Sequence, residues 1–495
     1  MIAPAQAGTA AMDTGAASQC LDLADADFSA VQDVSVEVVS AELVTLPGSR
    51  LDLCHLEVKV APKFGFEVFL PRSRWNGKLL AYANVVNDYC ASHLEQGYAC
   101  VQMYRNGKPG RTDVDAFVQF DLLDRLEDAF RGHHSMALAG KAIVNHFYHR
   151  APERSYLVGC SAGGYAGLVE AQTFPWDFDG IVAGAPGVDS ADWLAKMLWA
   201  ARNSLDAEGR PIFQDADRAL LHRGVLAACD RDDGLADAIV SNPMGCRFQP
   251  VELLCGPGEK TGCLSRAQVT AATRIYEGPT TSTGRRLSAP SVLRGSELAW
   301  KEFEMPEADV VRFLNYVLQG ATLNPEAKFD FDRDYPRLGS GVLFKFSNPD
   351  LRQFKSLGGK VLAYQGTTDV SHVAGAAIDY YQTVEKTMGG RQATQDFFRL
   401  FMVPGMDHCS GGVGADAADF LRPLEAWVER GRAPDRIVSG HLKTNPTVPV
   451  YPYRELPADP AALSFTRPLY PYPQYARYRG NGDPNDASSF ERVEP

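Results

Sequence analysis

The stretch that most constrains this chain is Tyr156-Leu157-Val158-Gly159-Cys160-Ser161-Ala162-Gly163-Gly164-Tyr165. It begins as a short apolar run of strand character, passes through Gly-Cys-Ser-Ala-Gly, and continues through Ala166 to Ala171 as a helix. Gly159-x-Ser161-x-Gly163 at a strand-to-helix junction reads as a nucleophile elbow. Its glycines let the backbone turn sharply enough to lift a serine hydroxyl off a sheet, and they leave room beside it for a base and a substrate. Five residues of this pattern also recur by chance as an ordinary Gly-rich turn. The flanking strand and helix favour the elbow.

The surrounding pattern fits a sheet of the α/β class. Residues 34–70 are β-rich, and strands are expected over 78–83 and 97–103, with helical spacing over 135–150. After the elbow, 181–186 has the apolar run of a buried strand. Strand, helix, strand, helix, strand in this order implies a parallel sheet with helices on both faces. The alternation stops from 189 to 346. It returns with a strand at 360–366, a helix over 374–388, a strand at 398–403 and a helix over 415–430. A chain of 495 residues is too long for one simple core. The economical division is a core from 1–188 and 347–495 with a lid, 189–346, inserted between, and a Pro- and Tyr-rich tail from His441 wrapping the surface.

A net charge of −12 argues against a nucleic-acid or anionic-membrane partner, and no apolar run approaches the length of a membrane span. The segment Met1-Ile2-Ala3-Pro4-Ala5-Gln6-Ala7 lacks the basic and apolar regions of an intact signal peptide, although Ala5-Gln6-Ala7 is similar to the end of a cleaved one. Ten cysteines, several in close pairs and none spaced C-x-x-C, suggest disulfides and an oxidising compartment rather than zinc. Reduced buried cysteines are the plain alternative.

A serine needs a neighbouring base, and the base an orienting acid. With an elbow serine the chain order is Ser, Asp or Glu, His, the last two on turns after late strands. Asp369 follows the strand ending at Gly366, and His408 follows the strand ending at Val403. Asp407 is a weaker candidate for the acid, because adjacent side chains seldom face each other. His372, His133 and His134 read as structural or surface residues, with His134 a possible pocket wall. The cysteines give an independent check: Cys160 precedes Ser161 and Cys409 follows His408. Bringing Ser161 and His408 within hydrogen-bond reach brings their neighbours within disulfide range. A Cys160–Cys409 bridge would limit drift of the base.

Cys160-Ser161, Asp369 and His408-Cys409 resemble the Cys-Ser, Asp, His-Cys signature of the tannase and feruloyl esterase family, which also includes mono(2-hydroxyethyl) terephthalate hydrolase. The resemblance extends over Trp75-Asn76-Gly77-Lys78, 178–186, Asn348-Pro349-Asp350-Leu351, Gly358-Gly359-Lys360, Tyr470-Pro471-Tyr472-Pro473 and 482–487. It implies an α/β-hydrolase core with an inserted lid, several disulfides, secretion or periplasmic export, and hydrolysis of small-molecule esters, usually of aromatic acids. Aromatics of the lid, among them Trp193, Trp199, Trp300 and Phe303, are candidates for the wall that recognises the acid, though such residues more often fill cores.

The acidic run Cys229-Asp230-Arg231-Asp232-Asp233-Gly234-Leu235-Ala236-Asp237-Ala238-Ile239 suits Ca²⁺, which takes only oxygen ligands, but is not an EF-hand. It resembles the family's lid calcium loop. Carried over by position, the ligands are the side chains of Asp230, Asp233 and Asp237 and the carbonyls of Leu235 and Ile239, with Asp232 facing solvent. Such an ion is expected to be structural. An acidic solvated loop is the alternative. Cys229 and Cys246 bracket this loop; the family pattern also pairs Cys255 with Cys263 and Cys20 with Cys54, leaving Cys90 and Cys100 to pair locally.

Two departures from the family stand out. Where relatives place a glycine cluster that supplies part of the oxyanion hole, this chain reads Tyr82-Ala83-Asn84-Val85-Val86-Asn87-Asp88. The N–H of Ala162 is the expected first donor. The second is expected near Val85 or Val86, or from Asn84 or Asn87, with β-branched side chains crowding the acyl side. The family's tail disulfide is also missing, with Tyr470 and the region of Glu491-Arg492 in its place. The reading that follows is a secreted serine carboxylic-ester hydrolase. Its alternatives are an acyltransferase on the same triad and a non-catalytic, calcium-stabilised binding module.

Overall fold

The computed structural model describes residues 14–45, 51–60, 64–85, 89–104, 130–290, 292–318, 323–339, 347–444 and 452–495. The segment at 1–7 lies outside them. The chain divides into two units, one of residues 1–112 and 131–156, the other of 113–130 and 157–495.

In the first unit β1 (Val36–Thr45), β2 (Asp52–Val60), β3 (Phe64–Pro71), β4 (Lys78–Val85) and β5 (Ala99–Tyr104) lie in the order β1-β2-β3-β5-β4. The pairings of β1 with β2, β2 with β3, and β3 with β5 are antiparallel; only β4 and β5 run parallel. β1, β2 and β3 precede the strand–helix alternation from which a parallel sheet is expected. The links from β1 to β2 and from β2 to β3 are too short for a crossover, so these strands fold back as hairpins. The helix Gly132–Tyr148 buries Met136, Ala139, Ile143 and Phe147, as its spacing predicts. Gly140 lets it approach β5, since a Cβ there would lie 3.0 Å from Val101 Cγ1. Cys20 is bonded to Cys54 and Cys90 to Cys100.

β6 (Arg154–Cys160) leads into the second unit, where the order is β6-β7-β8-β9, with β7 at Gly180–Gly184, β8 at Lys360–Gly366 and β9 at Phe398–Val403. β7 and β8, and β8 and β9, are parallel, with Ile181 opposite Val361 and Ala363 opposite Leu400. The buried runs in these strands suit a sheet covered on both faces. Between β7 and β8 come the helices Ser190–Ser204, Asp215–Cys229, Arg266–Glu277 and Glu307–Leu318. They share an apolar cluster that includes the fully buried Trp300 and Phe303 and extends to Val370 and Val373 just beyond β8. Cys229 is bonded to Cys246 and Cys255 to Cys263 within this stretch.

One local expectation needs correction. The helix expected over 415–430 is Leu421–Arg430; Ala417–Ala418 pair instead with Gly440 and Ser439. Pro423 sits in the first turn, where its missing N–H has no helical partner to lose. The tail is more regular than its composition suggests: Ile437–Leu442 pairs with Leu463–Leu469, and Tyr475–Tyr478 with Phe490–Val493.

Candidate active site

The elbow is a sharp one. β6 ends at Cys160, the helix begins at Ala162, and Ser161 between them has φ 62° and ψ −122°. A non-glycine residue rarely adopts positive φ and does so where the surroundings over-determine it. The tight packing that imposes it is visible at Gly159 and Gly164. A Cβ on Gly159 would lie 2.4 Å from the Gly163 carbonyl carbon, and one on Gly164 would lie 2.0 Å from Gly184 O. The Ser161 N–H donates to Gly184 O at 3.0 Å, tying the turn to β7. Ala162 opens the helix, whose first N–H groups have no partner within the helix.

Asp369 and His408 stand on the turns after β8 and β9, and these turns are laced together. Thr367 N–H donates to Val403 O at 3.0 Å, and Gly405 N–H donates to Thr367 Oγ1 at 2.9 Å. Gly366 has to be a glycine, because a Cβ there would lie 2.2 Å from Met406 O. Asp369 is 3 % exposed. Its Oδ2 lies 2.8 Å from His408 Nδ1 and accepts from Gln365 Nε2 at 2.9 Å, while Oδ1 accepts the His372 N–H at 3.0 Å. Asp407 turns away from His408 and accepts from Thr368 Oγ1 at 2.7 Å.

The electrostatics follow. Burial pushes the Asp369 carboxyl up, but the charge and hydrogen bond of His408, together with His372, outweigh it and hold the group well below the usual carboxylate range. Burial pulls His408 down, and the charge and hydrogen bond of Asp369, with the charge of Glu302, more than reverse this and raise it above 6.5. Such a pair leaves Nε2 of His408 as the ring's other nitrogen, able to take a proton while the acid fixes Nδ1. Burial pushes Asp407 up to about 6.

Cys160 and Cys409 are bonded, with Cα atoms 6.0 Å apart, so the residues next to Ser161 and His408 are covalently joined. Cys409 has φ 63°. Further along the same loop, Gly411 N–H donates to buried Asp416, which is ion-paired with Arg454 at 3.0 Å.

Of the lid aromatics, Trp300 and Phe303 are each 1 % exposed and belong to the core. Trp199 packs edge-on against Phe331. Trp193 alone of the four meets the site residues: it stacks on His372 at 4.6 Å, and His372 stacks on His408 at 4.4 Å. His133 and His134 are buried in the helix Gly132–Tyr148, and burial lowers His133 to about 3. Val85 closes β4 opposite Tyr104. Its side chain and that of Asn84, and the whole of Val86, Asn87 and Asp88, lie outside the described residues. Sequence reasoning missed Gln365 and gave His372 no more than a structural or surface place. A glutamine inside a buried strand, and a histidine one turn after the acid, were the available signals.

In the acidic loop Asp232 is exposed and Asp233 buried. Asp233 accepts from Ser241 Oγ at 2.6 Å and from Leu235 N–H at 3.0 Å, Asp230 accepts the Asp237 N–H at 3.3 Å, and Asp237 accepts the Ile239 N–H at 3.2 Å. Burial, with the charges of Asp237 and Asp230, raises Asp233 to about 6, and burial with the charge of Asp237 raises Asp230. Arg467 answers part of that charge, with Nη2 2.6 Å from Asp237 Oδ2.

Comparison with known proteins places this arrangement. The profile described as "Tannase and feruloyl esterase" matches residues 49–334 and 337–493. Mono(2-hydroxyethyl) terephthalate hydrolase of Piscinibacter sakaiensis is 33% identical over 507 residues, covering 87% of this chain and 81% of that protein. A probable feruloyl esterase of Arthroderma benhamiae is 32% identical, covering 90% of this chain and 86% of its own length. Among solved structures, feruloyl esterase B from Aspergillus oryzae superposes with a TM-score of 0.78 at 24% identity, covering 97% of this chain and all of that one. The tannin acyl hydrolase from Aspergillus niger gives 0.72 at 18% identity, covering 93% and 90%. On the extent of these matches, the chain belongs to the tannase and feruloyl esterase family of carboxylic ester hydrolases.

Proposed function

We propose that the chain hydrolyses small-molecule esters of aromatic acids through an acyl-enzyme on Ser161. Ser161 Oγ attacks the ester carbonyl, and its proton passes to Nε2 of His408 as the Oγ–C bond forms. His408 returns that proton to the alcohol oxygen as the ester C–O bond breaks. Water then repeats the sequence on the acyl-enzyme, leaving the free acid and Ser161. Asp369 orients His408 through Nδ1 and stabilises the imidazolium. The N–H of Ala162, at the start of a helix, is the proposed donor to the developing oxyanion.

The observation that carries this reading is the coupled Asp369–His408 pair, tied to the strained serine by the Cys160–Cys409 bond. The aromatic acid rests on two supports. The relatives are named for ferulate and terephthalate esters, and the family is that of tannase and feruloyl esterase. Secretion into an oxidising compartment is supported by five disulfides.

For the lid, the proposed ligands of a structural Ca²⁺ are the side chains of Asp230, Asp233 and Asp237 and the carbonyls of Leu235 and Ile239. Such an ion would neutralise the buried carboxylates and fix the loop; none of these groups is placed to act on an ester.

Ser161→Ala tests the catalytic reading. Turnover of a panel of feruloyl, galloyl and terephthalate monoesters should fall by about a thousandfold or more. Labelling by a fluorophosphonate should disappear while the melting temperature stays near that of the parent. Undiminished labelling or turnover in that variant would remove the serine mechanism.

A further inference from the structure

We propose that His372 is a positioning residue for the base, the middle member of a stack, Trp193–His372–His408, that fixes the plane of the His408 imidazole. The inference rests on the assignment of His408 as that base. Its hydrogen bond to Asp369 holds one atom of the ring, Nδ1, and fixing one atom is not the same as fixing the plane of the ring. A tilt about that point swings Nε2, the atom that must meet the serine proton. A flat surface against one face of the ring removes this freedom. His372 supplies it: the two imidazoles are 4.4 Å apart between centroids and 6° from parallel.

The slab is itself anchored on three sides. On its other face the indole of Trp193 stacks at 4.6 Å and 3°. That indole is fixed in turn, because Nε1–H donates to Ser371 O, the carbonyl just before His372, at 2.6 Å. At the ring's edge Gly187 leaves no slack, since a Cβ there would lie 2.9 Å from His372 Cδ2. Below, the His372 N–H donates to Asp369 Oδ1, so one residue steadies both the acid, through its backbone, and the base, through its ring.

The turn that brings this about is strained. Val373 has φ 43°, a region that β-branched residues avoid, and it is fully buried. Ser371, on the other side, donates to Glu302 Oε2 at 2.8 Å. Ligand-type atoms of Asp369, His372 and His408 all lie within 4.8 Å of one another, which measures how closely the three are gathered. A surface histidine requires none of this support. The lid therefore reaches the chemistry through Trp193, which comes from the helix Ser190–Ser204, and through the charge of Glu302 on His408.

Three substitutions separate a flat face from bulk and from charge. His372→Phe keeps an aromatic face, His372→Leu keeps volume without one, and His372→Ala keeps neither. A misplacement of the base weakens the chemical step more than binding, so the expected result is a fall of about tenfold or more in kcat for the Leu and Ala variants, with KM little changed. Phe should restore most of that loss. Leu as active as the parent, or Phe as damaged as Ala in proteins of equal melting temperature, would overturn the stacking role. If the Ala variant fails to fold, the Phe and Leu pair decides alone. The parallel variants Ser161→Ala and His408→Ala keep the two readings distinct. Their inactivity beside a fully active His372→Leu sinks only the positioning role, whereas their activity sinks the serine mechanism itself.

Discussion

Two loops of this protein are clamped by disulfides, and they are clamped for different ends. The Cys160–Cys409 bond joins residues 249 apart and binds the serine turn to the histidine turn. The Cys229–Cys246 bond closes 17 residues around the acidic loop of the lid. Around the first, the polar groups are matched: Asp369 accepts from Gln365 and from the backbone of His372 and faces His408, and opposite charges lower one group while raising the other. Around the second, they are mismatched: burial, helped by neighbouring charge, raises Asp230 and Asp233, and an arginine is brought in from the tail to Asp237. In the first loop the carboxylate is answered by protein groups. For the second, a Ca²⁺ is the proposed answer.

The largest effect should come from opening the first clamp. Replacing Cys160 and Cys409 together by serine removes about 5 kcal/mol of loop-closure stabilisation by chain-entropy arguments, less any relaxation of the folded state. It also frees the base to drift, so kcat should fall by about tenfold or more even in the molecules that remain folded. Denaturant titration and active-site labelling read the two losses separately; stability lost with kcat intact would make this bond a mere staple.

Removing a cation from the second loop should do the reverse. Dialysis against a chelator should lower the melting temperature by several degrees, recoverable with added Ca²⁺, and leave the initial rate at room temperature unchanged. A melting curve indifferent to chelator would assign the loop's charge to Arg467 alone.

The smallest effect is on pH. His408 must be neutral to accept the serine proton, and its raised value places the acid limb of kcat/KM above 6.5. The same pair bears on stability. Asp369 is lowered, so its contribution is present above its ordinary 3.8 and fades as pH falls towards its folded value. His408 is raised, so its contribution is present below 6.5 and fades as pH rises through its folded value. The pair therefore stabilises most fully between 3.8 and 6.5, below the pH at which it works best. A limb centred below 6.5 would contradict the coupling of these two groups.

Much of the site was legible because its parts are local. An elbow, an acid after one strand and a base after the next each sit in a few residues, and Cys160 and Cys409 declare the long-range contact by flanking two of them. What stayed hidden depends on side chains meeting across the fold. His372 looks like an ordinary loop histidine until its ring is seen between two others. Arg467 lies 230 residues from Asp237, and nothing in either neighbourhood names the other. Trp300 and Phe303 carry the same letters as pocket walls and turn out to fill a core, because type does not specify which face of an element is covered. The antiparallel order of β1, β2 and β3 was available from their short links, and the late start of the helix at Leu421 from Pro423.

The long reach of these pairings has a consequence for how the protein is made. At about 5–20 residues per second of synthesis, Cys160 emerges some tens of seconds ahead of Cys409, its partner 249 residues on. Asp237 waits as long for Arg467, 230 residues further along. The nascent chain thus carries the Cys160 thiol beside Ser161, with eight other cysteines already synthesised, until Cys409 is out. The clamp between the Ser161 and His408 turns is thus among the last parts of the molecule that can be closed.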